Sequence, residues 1–459
     1  MRPALWAIAL IAALGAPETE PARPNVVLVM TDDQGWGDVT CRGGLATPAL
    51  DAMAKAGVTF TRFHAASPVC SPTRASVLTG RHPFRMGITH ANVGHLPAEE
   101  LTLAELLASA GYATGHFGKW HLGTLTKDIE ESNRGGPRGK EHYAPPWEHG
   151  FDVCFSTEAK VPTFDPLIVP GPEHGGTGGR PAGEAFGTNF WTGPGERVTE
   201  NMAGDTSTLV MDRALAFIEG AVKGSRPFLA VIWFHAPHLP VVADEEHLAL
   251  FPDLPLKERH YKGTLTATDE NLGRLRARLD TLGIAERTLL WFSSDNGPEG
   301  GSKSGLGSTA GLRGRKRDLY EGGTRVPGFF EWPGGPFEAG STVSAPASSL
   351  DILPTLAAIL GLELELAARE LDGIDLTPLL AGKRKTRNRP MGFLHADREA
   401  WTGDRWKLHR RGDQPYEIYD LLSDPIEAID LAANEPERVQ ALAAELAQWR
   451  RAVERDGTD

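Results

Sequence analysis

A cysteine stands directly before a segment that has the residues of a helix start. Residues 70–74 read CSPTR, and Ala75 to Leu78 can continue a helix. Proline suits the first turn of a helix, so the sequence predicts a helix that begins near Cys70. The first turn presents unpaired backbone N–H groups to an anion, and the guanidinium of Arg74 would add further donors. This segment therefore predicts an anion-binding site beside a cysteine.

Two apolar segments of the chain are each followed at once by acidic or amide side chains. These side chains are Asp32, Asp33, Asp295 and Asn296. Three carboxylates and one amide carbonyl are hard oxygen donors, which suit Ca²⁺ or Mg²⁺ better than zinc. A pair of aspartates alone more often forms a turn or caps a helix. Together with Cys70, the two acidic strand ends predict a site for a divalent cation, either Ca²⁺ or Mg²⁺.

Three other blocks supply histidines or cations. Residues 118–123 read GKWHLG, and on an extended segment Lys119 and His121 would point the same way and reach one anion. Residues 234–240 read FHAPHLP and contain His235 and His238. Histidine has a pKa near neutrality, which suits it for proton transfer. Residues 312–317 crowd four cations together, so positive charge alone does not single out Lys316.

These blocks, in this order, resemble the type I sulfatase family, and residues 70–74 match its C-x-P-x-R signature. In that family the cysteine is oxidised to the aldehyde formylglycine, whose hydrate supplies an oxygen nucleophile. The resemblance implies that a formylglycine-generating enzyme modifies Cys70 in this way. It also implies the ligands of one divalent cation, generally Ca²⁺: Asp32, Asp33, Asp295, Asn296 and the modified Cys70.

The same resemblance implies roles for the histidines and lysines. Lys119 and His121 would contact the formylglycine hydroxyls, and His121 would take the proton that lets the aldehyde re-form. His238 would bind sulfate and protonate the leaving oxygen. Lys316, placed in register by the Glu-Gly-Gly at 321–323, would bind sulfate. His235 would either face the substrate or be a hydrogen-bonded structural histidine.

These roles lead to a hypothesis for the reaction, which is hydrolysis of a sulfate monoester. One hydroxyl of the hydrated aldehyde would attack sulfur in line with the departing alcohol, and Asp295 would assist removal of its proton. The groups that stabilise charge on the sulfuryl oxygens would be the cation, Arg74, Lys119, His238 and Lys316. The resulting hemiacetal sulfate would then expel sulfate and regenerate the aldehyde.

The substrate is expected to be a sulfated small molecule or glycan. Residues 142–151 resemble glycan-directed sulfatases, which favours a galactose or N-acetylgalactosamine sulfate. Two alternatives stay open. One is a phosphonate or phosphodiester hydrolase of the same superfamily, and the other is a non-catalytic protein that binds sulfated glycans, which requires Cys70 to remain a thiol.

Three apolar segments rich in β-branched residues end at the polar groups described above. They are residues 25–30, 228–234 and 288–292, and helical patterns at 101–110, 206–222 and 261–282 lie between or beside them. Buried strands that alternate with helices predict an α/β domain with a mainly parallel mixed sheet flanked by helices. The resemblance implies that this domain is alkaline phosphatase-like. Ligands bind beyond the carboxyl ends of such strands, where these polar residues would converge.

The domain organisation is predicted as a catalytic domain over residues 24–387 and a small C-terminal α+β subdomain over 388–459. Strands are expected near 391–395, 407–410 and 416–421, which would form a short antiparallel sheet, and a helix is expected at 436–453. Residues 133–194 are rich in Gly, Pro and aromatic residues and predict an insertion near the active site. Its aromatic residues would either form a satellite core or contact sugar.

Length, charge and the amino terminus narrow the class of protein. The 459 residues exceed the size at which one core usually stops growing, and the net charge of −13 argues against nucleic-acid binding. Residues 1–16 predict a secretory signal peptide and export to a periplasm or the cell exterior, and no transmembrane segment is expected after it. The three cysteines exclude a disulfide-rich framework and leave Cys41 and Cys154 as a possible pair.

Overall fold

The computed structural model describes residues 23–131, 139–300, 305–364 and 370–456. The strands in these residues are β1 (Asn25–Thr31), β2 (Val58–His64), β3 (Ala113–Lys119), β4 (Val153–Thr157), β5 (Phe190–Gly193), β6 (Glu196–Val198), β7 (Phe228–Trp233), β8 (Thr288–Ser294), β9 (Arg325–Glu331), β10 (Ser341–Val343), β11 (Ala347–Ser348), β12 (Met391–His395), β13 (Arg398–Thr402), β14 (Trp406–Arg411) and β15 (Glu417–Asp420). The α-helices are α1 (Pro48–Ala56), α2 (Cys70–Thr79), α3 (Leu103–Ser109), α4 (Thr206–Lys223), α5 (Glu245–Ala249), α6 (Leu256–Thr281), α7 (Glu321–Thr324), α8 (Ile352–Leu360), α9 (Thr377–Leu380) and α10 (Pro436–Asp456).

The first eleven strands form one sheet, in the order β10-β2-β9-β8-β1-β7-β3-β4-β5-β6, and β11 also pairs with β2. The central neighbours β8, β1, β7, β3 and β4 are parallel, whereas β9 runs antiparallel to β8 and β2. The remaining four strands form a separate antiparallel sheet. The predicted fold class, a large α/β domain followed by a small α+β subdomain, is confirmed.

The central strands are apolar throughout because both faces of the sheet are covered. Val26, Leu28 and Met30 of β1 belong to one hydrophobic core, whereas Val27 and Val29 belong to the other. Alternate side chains of a strand point to opposite faces, so a strand between two cores needs apolar residues at every position. The first core also contains residues of α2, α3 and α8, and the second contains residues of α1, α4 and α6.

The aromatic residues of the predicted insertion mostly complete these cores. Phe155, Phe186 and Phe190 are buried in one core, and Phe151 and Trp191 are buried in the other. The described part of this segment, residues 139–194, contains only short elements, such as β4 and β5, as its Gly and Pro content predicts. The structure therefore favours packing over sugar contact for these five aromatic side chains.

The C-terminal sheet, β12 to β15, packs against α10 through Trp401, Leu408, Ile418 and Leu446. The sequence indicated three of these strands and missed β13, whose residues read REAWT and lack a simple alternation of apolar and polar side chains. Four buried ionisable groups join this subdomain to the large sheet. Lys407 Nζ lies 3.0 Å from Glu321 Oε1 and 2.9 Å from Glu427 Oε1. Glu321 also lies 3.1 Å from His64 Nε2.

The predictions about the signal peptide, membrane-spanning helices and a disulfide bond are considered in turn. Residues 1–16, assigned to a signal peptide, lie outside the described residues. Among the described helices, none has both the length and the hydropathy to cross a membrane. The possible pairing of Cys41 with Cys154 is wrong in this structure, because all three cysteines are free. Cys41 is exposed in a short 3-10 helix between β1 and α1, whereas Cys154 is buried within β4.

Replacing Lys407 by Met tests the connection between the two sheets. The change leaves two buried carboxyl groups without their cation, so we expect the free energy of unfolding to fall by about 3–5 kcal/mol. Urea denaturation measures this change. Lys383→Met, at an exposed lysine, is the matched control and should alter the free energy by less than about 0.5 kcal/mol. Equal effects of the two substitutions would show that the buried cluster does not hold the subdomain in place.

Candidate active site

The carboxyl ends of β1 and β8 bring two aspartates together. The strands are parallel and adjacent, with Thr31 opposite Ser294, so the next residues, Asp32 and Asp295, are neighbours. Asp33 turns back toward them, and its backbone N–H donates to Asp295 Oδ1 at 3.2 Å. Asp33 adopts a left-handed backbone conformation with φ of 72°, which aspartate tolerates better than most residues. Asn296 follows Asp295 and contacts Asp33, so four of the five predicted metal ligands lie at one edge of the sheet.

Several oxygens at this edge have no hydrogen-bond donor among the described residues. They are Asp32 Oδ1, Asp33 Oδ2 and Asn296 Oδ1, and all three are buried. Asn296 donates through Nδ2 to Asp33 Oδ1 at 2.7 Å and to the Gly297 carbonyl at 2.9 Å, so its Oδ1 is left for another partner. Buried polar atoms are rarely left unsatisfied. These oxygens fit a hard divalent cation such as Ca²⁺.

Cys70 lies beside the same oxygens. Its Sγ and one carboxylate oxygen each of Asp32 and Asp295 lie within 4.8 Å of one another. Cys70 is the first residue of α2, and all ten residues of that helix are buried. Burial raises the pKa of the Cys70 thiol, and the nearby charges of Lys119 and Lys316 offset this only in part. An unmodified Cys70 would accordingly be a protonated thiol.

The guanidinium of Arg74 contacts carboxylate and backbone oxygens, not the space in front of Cys70. Its Nη2 lies 2.6 Å from Asp295 Oδ2 and 3.7 Å from Asp32 Oδ2, and its Nη1 donates to the Lys119 carbonyl at 2.8 Å. The prediction that Arg74 offers its donors to a bound anion does not match this geometry. One helical turn beyond Cys70, the side chain lies beneath the site. There it holds Asp295 and the end of β3 in position.

Two lysines neutralise the remaining aspartate charge. Lys119 Nζ lies 2.5 Å from Asp32 Oδ2, and Lys316 Nζ lies 2.5 Å from Asp33 Oδ1. Burial alone would raise the pKa of Asp32, but Lys119, His238 and Arg74 hold that pKa well below its usual value. Burial and the charge of Asp32 raise the pKa of Asp295 to about 7. The pKa values of these two adjacent carboxyl groups are driven apart in this way. A divalent cation between them would stabilise the negative charge on both.

Lys316 reaches the site because two glycines allow its loop to fold back closely. A Cβ on Gly322 would lie 2.3 Å from the Gly314 carbonyl oxygen, and one on Gly323 would lie 2.0 Å from the Asp318 carbonyl oxygen. The backbone N–H of Lys316 then donates to the Pro298 carbonyl at 3.1 Å. The close approach of Gly322 and Gly323 to the backbone of residues 314–318 fixes the position of Lys316. This is why the Glu-Gly-Gly at 321–323 indicates which cation of the crowded segment points inward.

A cavity of about 300 Å³ opens in front of Cys70, and we name it the active-site cavity. Its lining residues include Cys70, Asn92, Lys119, His121, Lys160, His238, Glu299, Lys316 and Arg317. Lys119 and His121 both line it, as predicted, but for a different reason. Lys119 ends β3, whereas His121 has a left-handed φ of 58°, so the segment is not extended. The Nε2 of His121 donates to Asn92 Oδ1 at 2.6 Å.

The two histidines after β7 occupy different environments. His238 lines the active-site cavity, and its Nε2 lies 3.7 Å from Asp33 Oδ2. Its Nδ1 donates to the Leu239 carbonyl at 2.7 Å, which fixes the orientation of the ring. Burial lowers the pKa of His238 to about 4, although Asp32 and Asp33 oppose this. His235 is 1% exposed and donates through Nε2 to Thr157 Oγ1 at 2.8 Å. The structure supports the structural alternative for His235.

Two polar side chains of the cavity wall were not predicted from the sequence. Lys160 and Asn92 line the active-site cavity, but neither belongs to a block with an interpretable spacing, whereas Arg317, which also lines it, lies in the crowded segment 312–317. Lys160 lies just after β4 in the Gly- and Pro-rich segment, where the path of the chain depends on tertiary contacts. The sequence did contain one indication of Lys160: it comes just after the end of a strand, as Asp32 and Asp295 do.

Comparison with known proteins agrees with this geometry. Residues 24–362 match the family model described as Sulfatase. Rat arylsulfatase G is 36% identical over 399 residues, which cover 81% of this chain and 71% of that protein. Human arylsulfatase A is 32% identical over 478 residues, which cover 94% of this chain and 89% of that protein. The solved structure of Ps i-CgsB is 28% identical and covers 93% of this chain and 92% of that one, with a TM-score of 0.80.

Cys70, the aspartates of two strand ends and these similarities define a type I sulfatase. The chain belongs to the sulfatase family and is a sulfuric ester hydrolase. A phosphonate monoester hydrolase of Agrobacterium radiobacter shares the fold, with a TM-score of 0.66 at 21% identity and coverage of 94% of this chain. That similarity concerns the fold alone.

Replacing each histidine by Gln tests whether His238 acts in the reaction and His235 only in stability. His238→Gln should lower kcat for an aryl sulfate by about 10²–10⁴-fold, because the side chain lines the cavity and can transfer a proton. His235→Gln should lower the free energy of unfolding by about 1–3 kcal/mol through its buried hydrogen bond and leave kcat within a few-fold. Steady-state kinetics and urea denaturation of both variants measure this. The reverse pattern would place His235 in the reaction.

Proposed function

We propose that this sulfatase hydrolyses a sulfate monoester of a carbohydrate, using formylglycine formed from Cys70 and a Ca²⁺ ion. The observation that supports this most directly is the convergence of Cys70, two lysines and three unpartnered buried oxygens beside one cavity. The oxygens come from the ends of β1 and β8, and the lysines from the end of β3 and the loop before α7. An anionic ester could contact the cations of this cavity while its alcohol extends toward the opening.

The cation and the modified residue would supply chemistry that the unmodified chain lacks. Ca²⁺, held by Asp32, Asp33, Asp295 and Asn296 with residue 70, would screen the negative charge of the ester. Formylglycine in its hydrated form would provide an oxygen nucleophile and a second hydroxyl. Mg²⁺ is the alternative ion for the same oxygen donors.

The side chains of the cavity have separate tasks in this proposal. Lys119 and Lys316 stabilise negative charge on the sulfuryl oxygens, since both ammonium groups lie at the aspartate cluster and line the cavity. His238 would protonate the leaving oxygen through Nε2 as an imidazolium, a form that the negative charge of the bound ester favours and the empty site does not, while its Nδ1 is held by the Leu239 carbonyl. His121 accepts a proton from the hydroxyls on residue 70. Arg74 acts beneath the cavity as a positioning residue for Asp295.

Maturation of this site requires a partner enzyme. Cys70 is 2% exposed and begins a fully buried helix, so the folded chain does not present it to another protein. A formylglycine-generating enzyme would therefore act before the domain folds. Export to a periplasm or the cell exterior remains part of the proposal, on the basis of residues 1–16.

A carbohydrate is the proposed source of the alcohol. The relative Ps i-CgsB has also been solved in complex with k-i-k-neocarrahexaose, at 27% identity to this chain. Residues 142–151, whose resemblance favoured galactose or N-acetylgalactosamine sulfates, are not among those that line the active-site cavity. Sulfates of these two sugars stay the first compounds to test, although the oligosaccharide complex supports a carbohydrate substrate in general and not these sugars in particular.

Sulfate release by the aldehyde-bearing protein tests the proposed reaction. Cys70→Ala should lower kcat for 4-nitrophenyl sulfate and for the preferred sugar sulfate on the order of 10³-fold or more, because the nucleophile is lost. Cys154→Ala is the matched control, since this buried cysteine lies in β4 and does not line the active-site cavity. It should leave kcat within a few-fold.

The same assay distinguishes the alternative functions. Turnover of a matched phosphonate or phosphodiester in preference to the sulfate would replace the proposed activity with that of the superfamily alternative. Binding of sulfated glycans without sulfate release, by protein whose residue 70 is verified as the aldehyde, would contradict the proposed hydrolysis.

Calcium should stabilise the folded protein. At a free Ca²⁺ concentration of one hundred times Kd, the free energy of unfolding should rise by about 2.7 kcal/mol, because only the folded chain assembles the oxygens. Asn296→Ala removes one unpartnered oxygen and should weaken Ca²⁺ binding on the order of tenfold or more. Asn271→Ala, at a buried asparagine of α6, should retain the Ca²⁺ increment. Urea denaturation with and without EDTA measures it, and the absence of any increment in the parent protein would contradict the site.

A further inference from the structure

Four lysine or arginine side chains line the active-site cavity, and three of them are paired with carboxylates. The pairs are Lys119 with Asp32 at 2.5 Å, Lys316 with Asp33 at 2.5 Å, and Arg317 with Glu299 at 2.6 Å. The fourth is Lys160. Among the described residues no carboxylate lies within ion-pairing distance of its Nζ, which donates to the Gly176 carbonyl at 2.9 Å.

Lys160 is held in place without being neutralised. The side chain is half-buried, and its hydrogen bond to Gly176 uses one of the three ammonium donors. Burial and the neighbouring charges of Lys119 and Lys316 lower its pKa. A charged group in this position gains more from a bound anion than an exposed lysine does, because it has already lost part of its hydration.

The scissile sulfate does not require this lysine in the proposed reaction. Lys119, Lys316 and the cation site are next to Cys70, and they account for the charge of one sulfuryl group. Lys160 reaches the same cavity from the segment after β4, beside Gly176 and Leu239. The cavity therefore offers a second positive position that the reaction at residue 70 leaves available.

We propose that Lys160 determines specificity by binding a second anionic group of the substrate, so that the preferred substrate is a polyanionic saccharide. This inference rests on the proposed function and adds the class of substrate to it. The second anion would be either another sulfate or the carboxylate of an adjoining uronic acid, because both present oxygen acceptors to an ammonium group. Lys160 would contact this group and take no part in bond cleavage.

Competition against 4-nitrophenyl sulfate, a substrate with one negative group, tests the inference. The competitors are N-acetylgalactosamine 4-sulfate, its 6-sulfate and its 4,6-disulfate, together with an unsaturated chondroitin disaccharide that has one sulfate and one carboxylate. In the parent protein we expect the dianionic compounds to inhibit about 10–100-fold more tightly than the monosulfates, as a charged hydrogen bond implies. The disulfate and the disaccharide distinguish the two sources of the second anion.

Three variants complete the experiment. Lys160→Met should reduce the preference for dianions to less than about threefold, and Lys160→Arg should retain most of it, because the charge is kept. Lys223→Met, at an exposed lysine at the end of α4, is the control and should behave as the parent. The kcat and KM for 4-nitrophenyl sulfate should stay within about threefold in Lys223→Met, whereas Lys160→Met should weaken binding of the dianions about tenfold more than binding of this monoanionic substrate.

Two results would overturn the role of Lys160. One is a parent protein that binds mono- and dianions equally. The other is a Lys160→Met variant that loses turnover of 4-nitrophenyl sulfate and keeps its preference for dianions, which would indicate that Lys160 contacts the scissile sulfate or only anchors the Gly176 loop. Failure of the proposed function is distinguishable from both, since verified aldehyde-bearing parent protein would then release no sulfate from 4-nitrophenyl sulfate.

Discussion

The balance of buried charge at the ends of β1 and β8 is the constraint on which the rest of this structure depends. Three carboxyl groups lie together where water is largely excluded, and charges in such a place are costly unless they are paired. Arg74, Lys119 and Lys316 provide the pairing from three separate elements, α2, β3 and the loop before α7. The positions of these elements are accordingly coupled to one another through the site, and the oxygens that stay unpartnered define where a cation fits.

The same balance explains why the site can bind an anion at all. In a chain with a net charge of −13, the long-range field opposes a negative substrate. The active-site cavity reverses this locally, because its lining includes three lysines and an arginine and the aspartates lie beneath them. A bound cation would add two further positive charges at the oxygen cluster. Affinity for an anionic ester is thus a property of the cavity and not of the whole surface.

Those parts of the fold and site that depend on local sequence could be predicted. Continuous apolar segments marked β1, β7 and β8, and the polar residues that followed them indicated Asp32, Asp295 and His238. Side-chain directions were not predictable in the same way. Arg74 lies beneath the site and His121 follows a left-handed turn, and both depend on contacts with distant elements. Lys160 and β13 have no periodic or spaced signal, so only the assembled structure reveals them.

The most direct test of the account is to compare the chemical state of residue 70 with activity in the same preparations. Peptide mass spectrometry gives the fraction of molecules in which Cys70 has become formylglycine, and sulfate release gives turnover per molecule. If formylglycine at residue 70 provides the nucleophile, turnover is proportional to the aldehyde fraction and falls to zero when every molecule retains the thiol. Preparations that contain only the thiol and release sulfate at an undiminished rate would contradict it.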